Sequence, residues 1–398
     1  MSKDAKNVPA LRFKGYSDAW EKRKLGEVLL ERNSRSGAKQ LLSVTIKQGV
    51  IKAEDSGRKD NSSSDLSNYK LVKVGDIPYN SMRMWQGASG YSYFEGIVSP
   101  AYTVLIPSTE TDGLFLSYDI KRNKMLSVFQ RHSQGLTSDT WNLKYPQLSS
   151  IHVRVPKKNE QIQIRQALTK LDALIAATQD KIDAFEQIKK AFLQHLFDQS
   201  WRFGEYSELW TSHLLGEITS KVTEKNTENL YHETFTNSAK YGIVEQQSFF
   251  DKLISNEANL TNYYVVREND FVYNPRISNL APVGPVRRNK LNRTGVMSPL
   301  YYVFKATNAA YPMFLEYFFK GESWYRFMYL NGDTGARSDR FAIKDKVFEQ
   351  MPVKLPEESE QKKIGALLQN LETVMNQTQE RLQKIRTIKD SLLKSLFV

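Results

Sequence analysis

The sequence predicts an α+β protein in which two pseudo-repeated globular domains are separated by two long helices that pair as an antiparallel coiled coil. Three observations predict it. LRFKGYSDAW (11–20) returns as WRFGEYSELW (201–210). Residues 155–197 and 355–397 align without a gap and share one apolar rhythm. Between these stretches the chain is rich in Tyr, Phe, Val and turn residues, as in YTVLIPS (102–108) and YYVF (301–304), which read as short strands.

In chain order, residues 1–155 form the first domain, 156–198 the first long helix, 199–355 the second domain and 356–398 the second long helix. Each domain opens on the doubled phrase. Arg12, Phe13, Tyr16, Ser17, Trp20, Leu25, Gly26 and Glu27 recur as Arg202, Phe203, Tyr206, Ser207, Trp210, Leu215, Gly216 and Glu217. The repeat continues in SNYKLVKVGDIPYN (67–80) against TNYYVVRENDFVYN (261–274), and in GLTSDTW (135–141) against GARSDRF (335–341). The loops do not follow it: GASGYSYFEG (87–96) has no counterpart in ISNLAPVGPVRRNKLNRTG (277–295).

The helices begin at Pro156 and Pro356, a residue suited to a first turn, and only Gly365 interrupts either run. Their seams are Ile164, Leu168, Leu171, Ile175, Thr178, Ile182 and Phe185, and Ile364, Leu368, Leu371, Met375, Thr378, Leu382 and Ile385. Steps of four and three along these positions mark a coiled-coil face, with a phase slip where Ile188 and Ile388 follow. A helix of about 40 residues, roughly 60 Å long, cannot bury one apolar seam alone, and the other copy is the available mate. Thr178 and Thr378, at the same seam position, could fix register through their hydroxyls or be tolerated threonines. Antiparallel helices would also bring Leu11 close to Phe397.

Composition limits the chemistry. There is no cysteine, which excludes disulfides, thiolate metal sites and a cysteine nucleophile. His132, His152, His195, His213 and His232 are scattered without ligand spacing, so no metal site is expected. Neither a dinucleotide nor a nucleoside-triphosphate phosphate motif occurs. Asn274-Pro275-Arg276 lacks the stacking aromatic of an adenine methyltransferase motif and reads as a turn. No catalytic residue is expected. No apolar run reaches the ~18 residues of a membrane span and the first residues are polar, which predicts a cytoplasmic protein without a membrane partner.

A net charge of +12 and a pI near 9.4 favour a polyanionic partner, and most of the excess lies outside the helices. Arg276, Arg287, Arg288, Lys290 and Arg293 crowd into 275–294 with Asn279 and no acidic residue. Arg and Asn read guanine and adenine edges, and Arg and Lys also hold phosphates. The corresponding candidates in the first domain are Arg83, Gln86 and Tyr91, with Lys121, Arg122 and Lys124. Arg337 and Arg340, absent from the first copy of their segment, complete the set. A nucleic acid is the expected partner. Two rivals stand beside this reading: a coiled-coil adaptor joining two protein-binding domains, and a divergent fused methyltransferase or nuclease.

Divergent domains alternating with near-duplicate helices that begin P-x-x-x-E-Q (Pro156, Glu160, Gln161; Pro356, Glu360, Gln361) and end L-x-x-L-F resemble the DNA specificity subunit of Type I restriction-modification enzymes. The resemblance covers essentially the whole chain. It implies two target-recognition domains, each reading one half of an asymmetric bipartite DNA sequence, with the helices as spacer and docking surface. It implies as partners double-stranded DNA, two modification (methyltransferase) subunits and the restriction (motor-nuclease) subunits. No cofactor would be bound by this chain; S-adenosylmethionine, ATP and Mg would sit on the partners.

Overall fold

A computed structural model describes residues 7–57, 62, 64–250, 257–334 and 339–398. The chain splits into two compact units, Met1–Gln179 with Arg381–Val398, and Asp180–Glu380. Each unit therefore holds one globular domain and a part of both long helices.

In the first unit, Glu21–Lys24 pairs antiparallel with His152–Val155, joining the two ends of the globular part. Tyr102–Pro107 is the middle strand of a three-stranded sheet, flanked by Leu29–Glu31 and Ile77–Asn80. Its Thr103, Val104 and Leu105 are all buried, the signature of a strand covered on both faces. Two further antiparallel pairs, Leu42–Thr45 with Gly49–Lys52 and Lys70–Val72 with Gly96–Val98, and the helices Gly113–Ile120, Asn123–His132 and Tyr145–Ser150 complete the unit.

The second unit repeats this frame. Thr211–Leu214 pairs with Pro352–Leu355, and Tyr302–Ala306 lies between Thr219–Lys221 and Phe271–Tyr273. Val286–Arg288 adds a fourth strand. Phe235–Ser238 forms a hairpin with Gly242–Glu245, Tyr264–Val266 pairs with Gly295–Met297, and the helices are Gln246–Phe250, Pro312–Lys320, Tyr325–Asn331 and Asp345–Phe348.

The doubled phrase is a clamp on the helix ends. Arg12 makes two hydrogen bonds to the Glu160 carboxylate (2.7 and 2.8 Å), and Arg202 makes the same pair to Glu360 (3.0 and 2.6 Å). Gln161 accepts from the Asp112 N–H and donates to Pro156 O, tying its helix to the start of Gly113–Ile120. Gln361 does likewise with Tyr311 and Pro356. The Pro, Glu and Gln of the helix-start motif are thus all structural. Trp20 lies edge-on to Phe115 and Phe397, as Trp210 does to Phe314, which in turn packs on Phe197. Gly26 is required because a Cβ there would come within 2.8 Å of Ser149 Cβ.

The Leu11 N–H donates to Ser395 O (2.9 Å), and in the second unit the Trp201 N–H donates to His195 O at the same 2.9 Å. A contact that is local in one unit is thus made in the other by residues from opposite ends of the chain, and Leu11 lies beside the end of the second long helix as expected.

The long helices are Lys158–His195 and Glu358–Ser395. Within the first unit Asp172 meets Lys389 and Gln179 meets Arg386, so one helix ascends as the other descends. Their seams do two jobs. Ile164 and Leu168 belong to the core of the first unit with Trp20, Phe115, Leu396 and Phe397. Ile364 and Leu368 belong to that of the second with Trp210, Phe314, Leu196 and Phe197. Further along, Thr178, Ile182, Met375, Leu382 and Ile385 are buried, while Leu171, Ile175, Phe185, Leu371 and Thr378 are half-buried. After the phase slip Ile188 and Ile388 are 43% and 51% exposed. Thr178 Oγ1 donates to Leu174 O (2.6 Å) and Thr378 Oγ1 to Val374 O (2.7 Å). These are the ordinary back-bonds of helical threonines, so neither hydroxyl proton remains to set register. Gly365 allows close approach of the helix Pro312–Lys320, since a Cβ there would sit 3.1 Å from Met313 Cγ.

Candidate nucleic-acid interface

The basic cluster of 275–294 proves to be two different things. Arg276 and Asn279 are exposed in the loop that follows strand Phe271–Tyr273. Asn274 Oδ1 accepts from the Arg276 N–H, so Asn274-Pro275-Arg276 is a turn. Four cations of the cluster are engaged. Arg288 and Lys290 both bind Glu316 (2.6 and 3.3 Å), and Arg293 binds Glu233 (2.5 Å). Arg287 donates to Val286 O and Ala239 O, and burial lowers its guanidinium pKa. Three of these four are paired with acids that reach the segment from elsewhere in the fold, and Arg287 is held by backbone carbonyls. Asn289 is buried and donates to Arg267 O and Arg293 O.

The fold brings Arg276 beside Arg340. The two residues form an antiparallel β-bridge, flanked by Ile277 N–H to Asp339 O (3.1 Å) and Phe341 N–H to Pro275 O (2.7 Å). Arg340 also lines a cleft of about 310 Å³ together with Lys221, Tyr264 and Tyr301. Arg337 lies outside the described residues.

In the first unit Arg83 is exposed and Gln86 half-buried at a 3-10 turn, Met84–Gln86, beside an edge-to-face pair of Trp85 and Trp141 (5.2 Å). Lys124 is exposed. Arg122 pairs with buried Asp119 (2.5 Å), donates to Val398 O (3.2 Å) and lies over the Phe397 ring (4.8 Å). Tyr91 and Lys121 line a separate cleft between the domain and the helices of the same unit. The Leu143 N–H donates to Ser81 O as the Phe341 N–H does to Pro275 O, and both side chains are buried. Leu143, not Trp141, is therefore the counterpart of Phe341, and the matched segments drift by two residues.

Sequence reasoning missed two lysines. Thr45-Ile46-Lys47-Gln48-Gly49 and Ser238-Ala239-Lys240-Tyr241-Gly242 are matching hairpin tips, with left-handed glycines (φ 71° and 75°) and an exposed lysine each. The shared spacing of hydroxyl, lysine and glycine was the available signal.

In the second unit an ion network links the globular domain to the helices. Glu316 binds Arg288, Lys290 and Lys320, and Glu372 binds Lys320 (2.8 Å) and Lys189 (2.7 Å). Burial alone would raise the Glu372 carboxyl, but Lys320 and then Lys189 outweigh it and hold it at about 2. A carboxyl depressed in the fold stabilises above its unfolded pKa of about 4.5 and loses that contribution as pH falls toward 2. Wild type is expected to lose up to about 3 kcal/mol between pH 5 and pH 2 from this group. Denaturant unfolding of Glu372→Gln across that range should show a correspondingly flatter pH dependence; an unchanged one contradicts the role assigned to this carboxylate.

Residues 17–187 match the family model of the Type I restriction modification DNA specificity domain. That match covers most of the first globular domain and most of the first long helix. Type I specificity subunits are non-catalytic DNA-recognition subunits, and the frame of the matched segment is repeated in the second unit. The S subunit from M. genitalium shares its fold, at 14% identity over 98% of this chain and 99% of that one, with a TM-score of 0.57. The HsdS subunit from Thermoanaerobacter tengcongensis is also similar, at 14% identity over 95% of this chain and 96% of that one, with a TM-score of 0.47. No curated protein matches the sequence significantly. Among the described residues of this specificity subunit, no group of three or more His, Asp or Glu could hold a metal ion, and no helix is long and apolar enough to cross a membrane.

Proposed function

We propose that this DNA specificity subunit recognises an asymmetric bipartite target, one half-site for each globular domain. Residues 1–155 and 199–355 act as the two target-recognition domains, and 156–198 and 356–398 as spacer and docking surface for two modification subunits. The observation that carries the reading is the contrast between frame and loops. Arg12 and Arg202, Glu160 and Glu360, and Trp20 and Trp210 repeat in the same structural roles. Arg83, Gln86 and Lys124 in one unit face no like residues in the other, where Arg276, Asn279 and Arg340 stand. A duplicated frame with unlike loops suits a target with unlike halves.

The modification subunits would carry S-adenosylmethionine and methylate adenine, and restriction subunits would carry ATP and Mg for cleavage. A DNA partner places the assembly in the cytoplasm. The test is to map methylated positions in cells that express this chain with its partners. Two unlike half-sites across a fixed gap are expected; a single contiguous motif would sink the reading.

A further inference from the structure

The two units hold the same constellation of side chains, and they finish it differently. Helices Gly113–Ile120 and Pro312–Lys320 begin at equivalent points, because the Asp112 and Tyr311 N–H groups bind Gln161 and Gln361. Tyr118, Lys121, Asp172 and Lys389 therefore correspond to Tyr317, Lys320, Glu372 and Lys189. The contacts agree: Tyr118 OH donates to Asp172 (2.5 Å) and Tyr317 OH to Glu372 (3.0 Å), while Lys389 binds Asp172 and Lys189 binds Glu372.

Around this shared core the second unit is filled with internal ion pairs. Glu316 and Glu372 together satisfy Lys320, Lys189, Arg288 and Lys290. In the first unit the position of Glu316 is Ser117. The backbone pairings Tyr79 with Ser89 and Tyr273 with Val286 set Arg288 and Lys290 opposite Tyr91 and Tyr93. The internal carboxylate is gone. Asp172, one methylene shorter than Glu372, reaches Tyr118 and Lys389, and the Lys121 ammonium makes no hydrogen bond or ion pair among the described residues.

What remains is a cleft of about 890 Å³ in place of a salt-bridge network. Gly49 and Gly90 form part of its wall by backbone contact, a Cβ on Gly90 falling 2.9 Å from Gly49 Cα, and Gly49 lies near the Lys121 ammonium. Lys47, Lys124, Lys389 and Lys394 stand around it with Tyr91 and Tyr93, against the carboxylates of Asp172 and Asp390. Burial, and then the neighbouring Lys389, lower the Lys121 pKa, a cost that an anion in the cleft would relieve.

We propose that the first unit binds a phosphate group in this cleft, with Lys121 as its principal ligand, at the place where the second unit carries the Glu316 carboxylate. A phosphate is a dispersed anion that a lysine holds as a point charge, and the tyrosine hydroxyls can donate to its remaining oxygens. It belongs to a nucleic-acid strand or to a free phosphate ester. The site is independent of base reading by the loops, so it stands or falls apart from the proposed function.

The test is calorimetric titration of the full chain with inorganic phosphate at constant ionic strength. One saturable site is expected. Lys121→Gln should weaken it about tenfold or more. Ser117→Glu, which supplies the internal carboxylate of the second unit, should abolish it, with both variants checked for unchanged unfolding transitions. Displacement of the phosphate by a bound DNA duplex assigns the site to the nucleic-acid backbone, and simultaneous binding assigns it to a free phosphate ester. Absence of saturable binding in the wild type, or equal affinity in Lys121→Gln, overturns the proposal.

Discussion

Replacing Glu360 by alanine is expected to destabilise the second unit by about 3 kcal/mol and to lower its melting temperature on the order of 10 °C. The Glu360 side chain is 1% exposed and Arg202 18%, so removing the carboxylate strands a guanidinium that burial has largely cut off from water. Glu160→Ala should do the same to the first unit, where Glu160 is 1% and Arg12 14% exposed. Because each pair acts within its own unit, the two substitutions should lower two transitions separately and add nearly independently. Arg202→Ala combined with Glu360→Ala should cost less than the sum of the single changes, since neither charge is then left alone. Thermal and denaturant unfolding measure all of these. A loss under about 0.5 kcal/mol for Glu360→Ala, the range of exposed ion pairs, would show that the clamp does not hold the helix start.

The second expected result separates readers from braces. Arg276→Ala and Arg340→Ala should each weaken binding to the cognate duplex by about 1–3 kcal/mol and relax discrimination at a base pair of one half-site. The two arginines lie side by side on a β-bridge, so their effects should be coupled rather than additive. Arg288→Ala and Arg293→Ala should leave the recognised sequence unchanged, because their guanidinium groups are committed to Glu316 and Glu233. Arg288→Ala should instead lower stability, since Glu316 is 4% exposed and loses a partner. Competition binding against duplexes altered one base pair at a time distinguishes the two classes. Altered base preference in Arg288→Ala would show that the ion pair opens on DNA.

The frame was legible in the sequence because the residues that repeat are those that cannot change without cost. Arg12, Glu160 and Trp20 are locked by one another or by the core, and their copies had to remain the same types in the same order. The long seams were legible as period, but their use was not: Ile164 and Leu168 look like any coiled-coil positions, and only the fold shows them entering a domain core. The candidate site was half legible. An acid-free run of arginines suggested free cations, yet Glu316 and Glu233 neutralise three of its members from 26 to 60 residues away along the chain. Sequence proximity says little about charge neighbours once strands fold back on each other. The cleft of the first unit was invisible for the opposite reason, because its character comes from what Ser117 omits relative to Glu316, and that pairing needs the backbone register.

The central claim is that each half of the target is read by loops on one copy of a shared frame. The most direct measurement is to exchange residues 275–284, which carry Arg276 and Asn279, for the corresponding loop of another specificity subunit and to map methylated positions in cells with the partner subunits. One half of the recognised sequence should change while the other half and the gap between them stay as they were. If both halves change together, or if neither does, the account is contradicted.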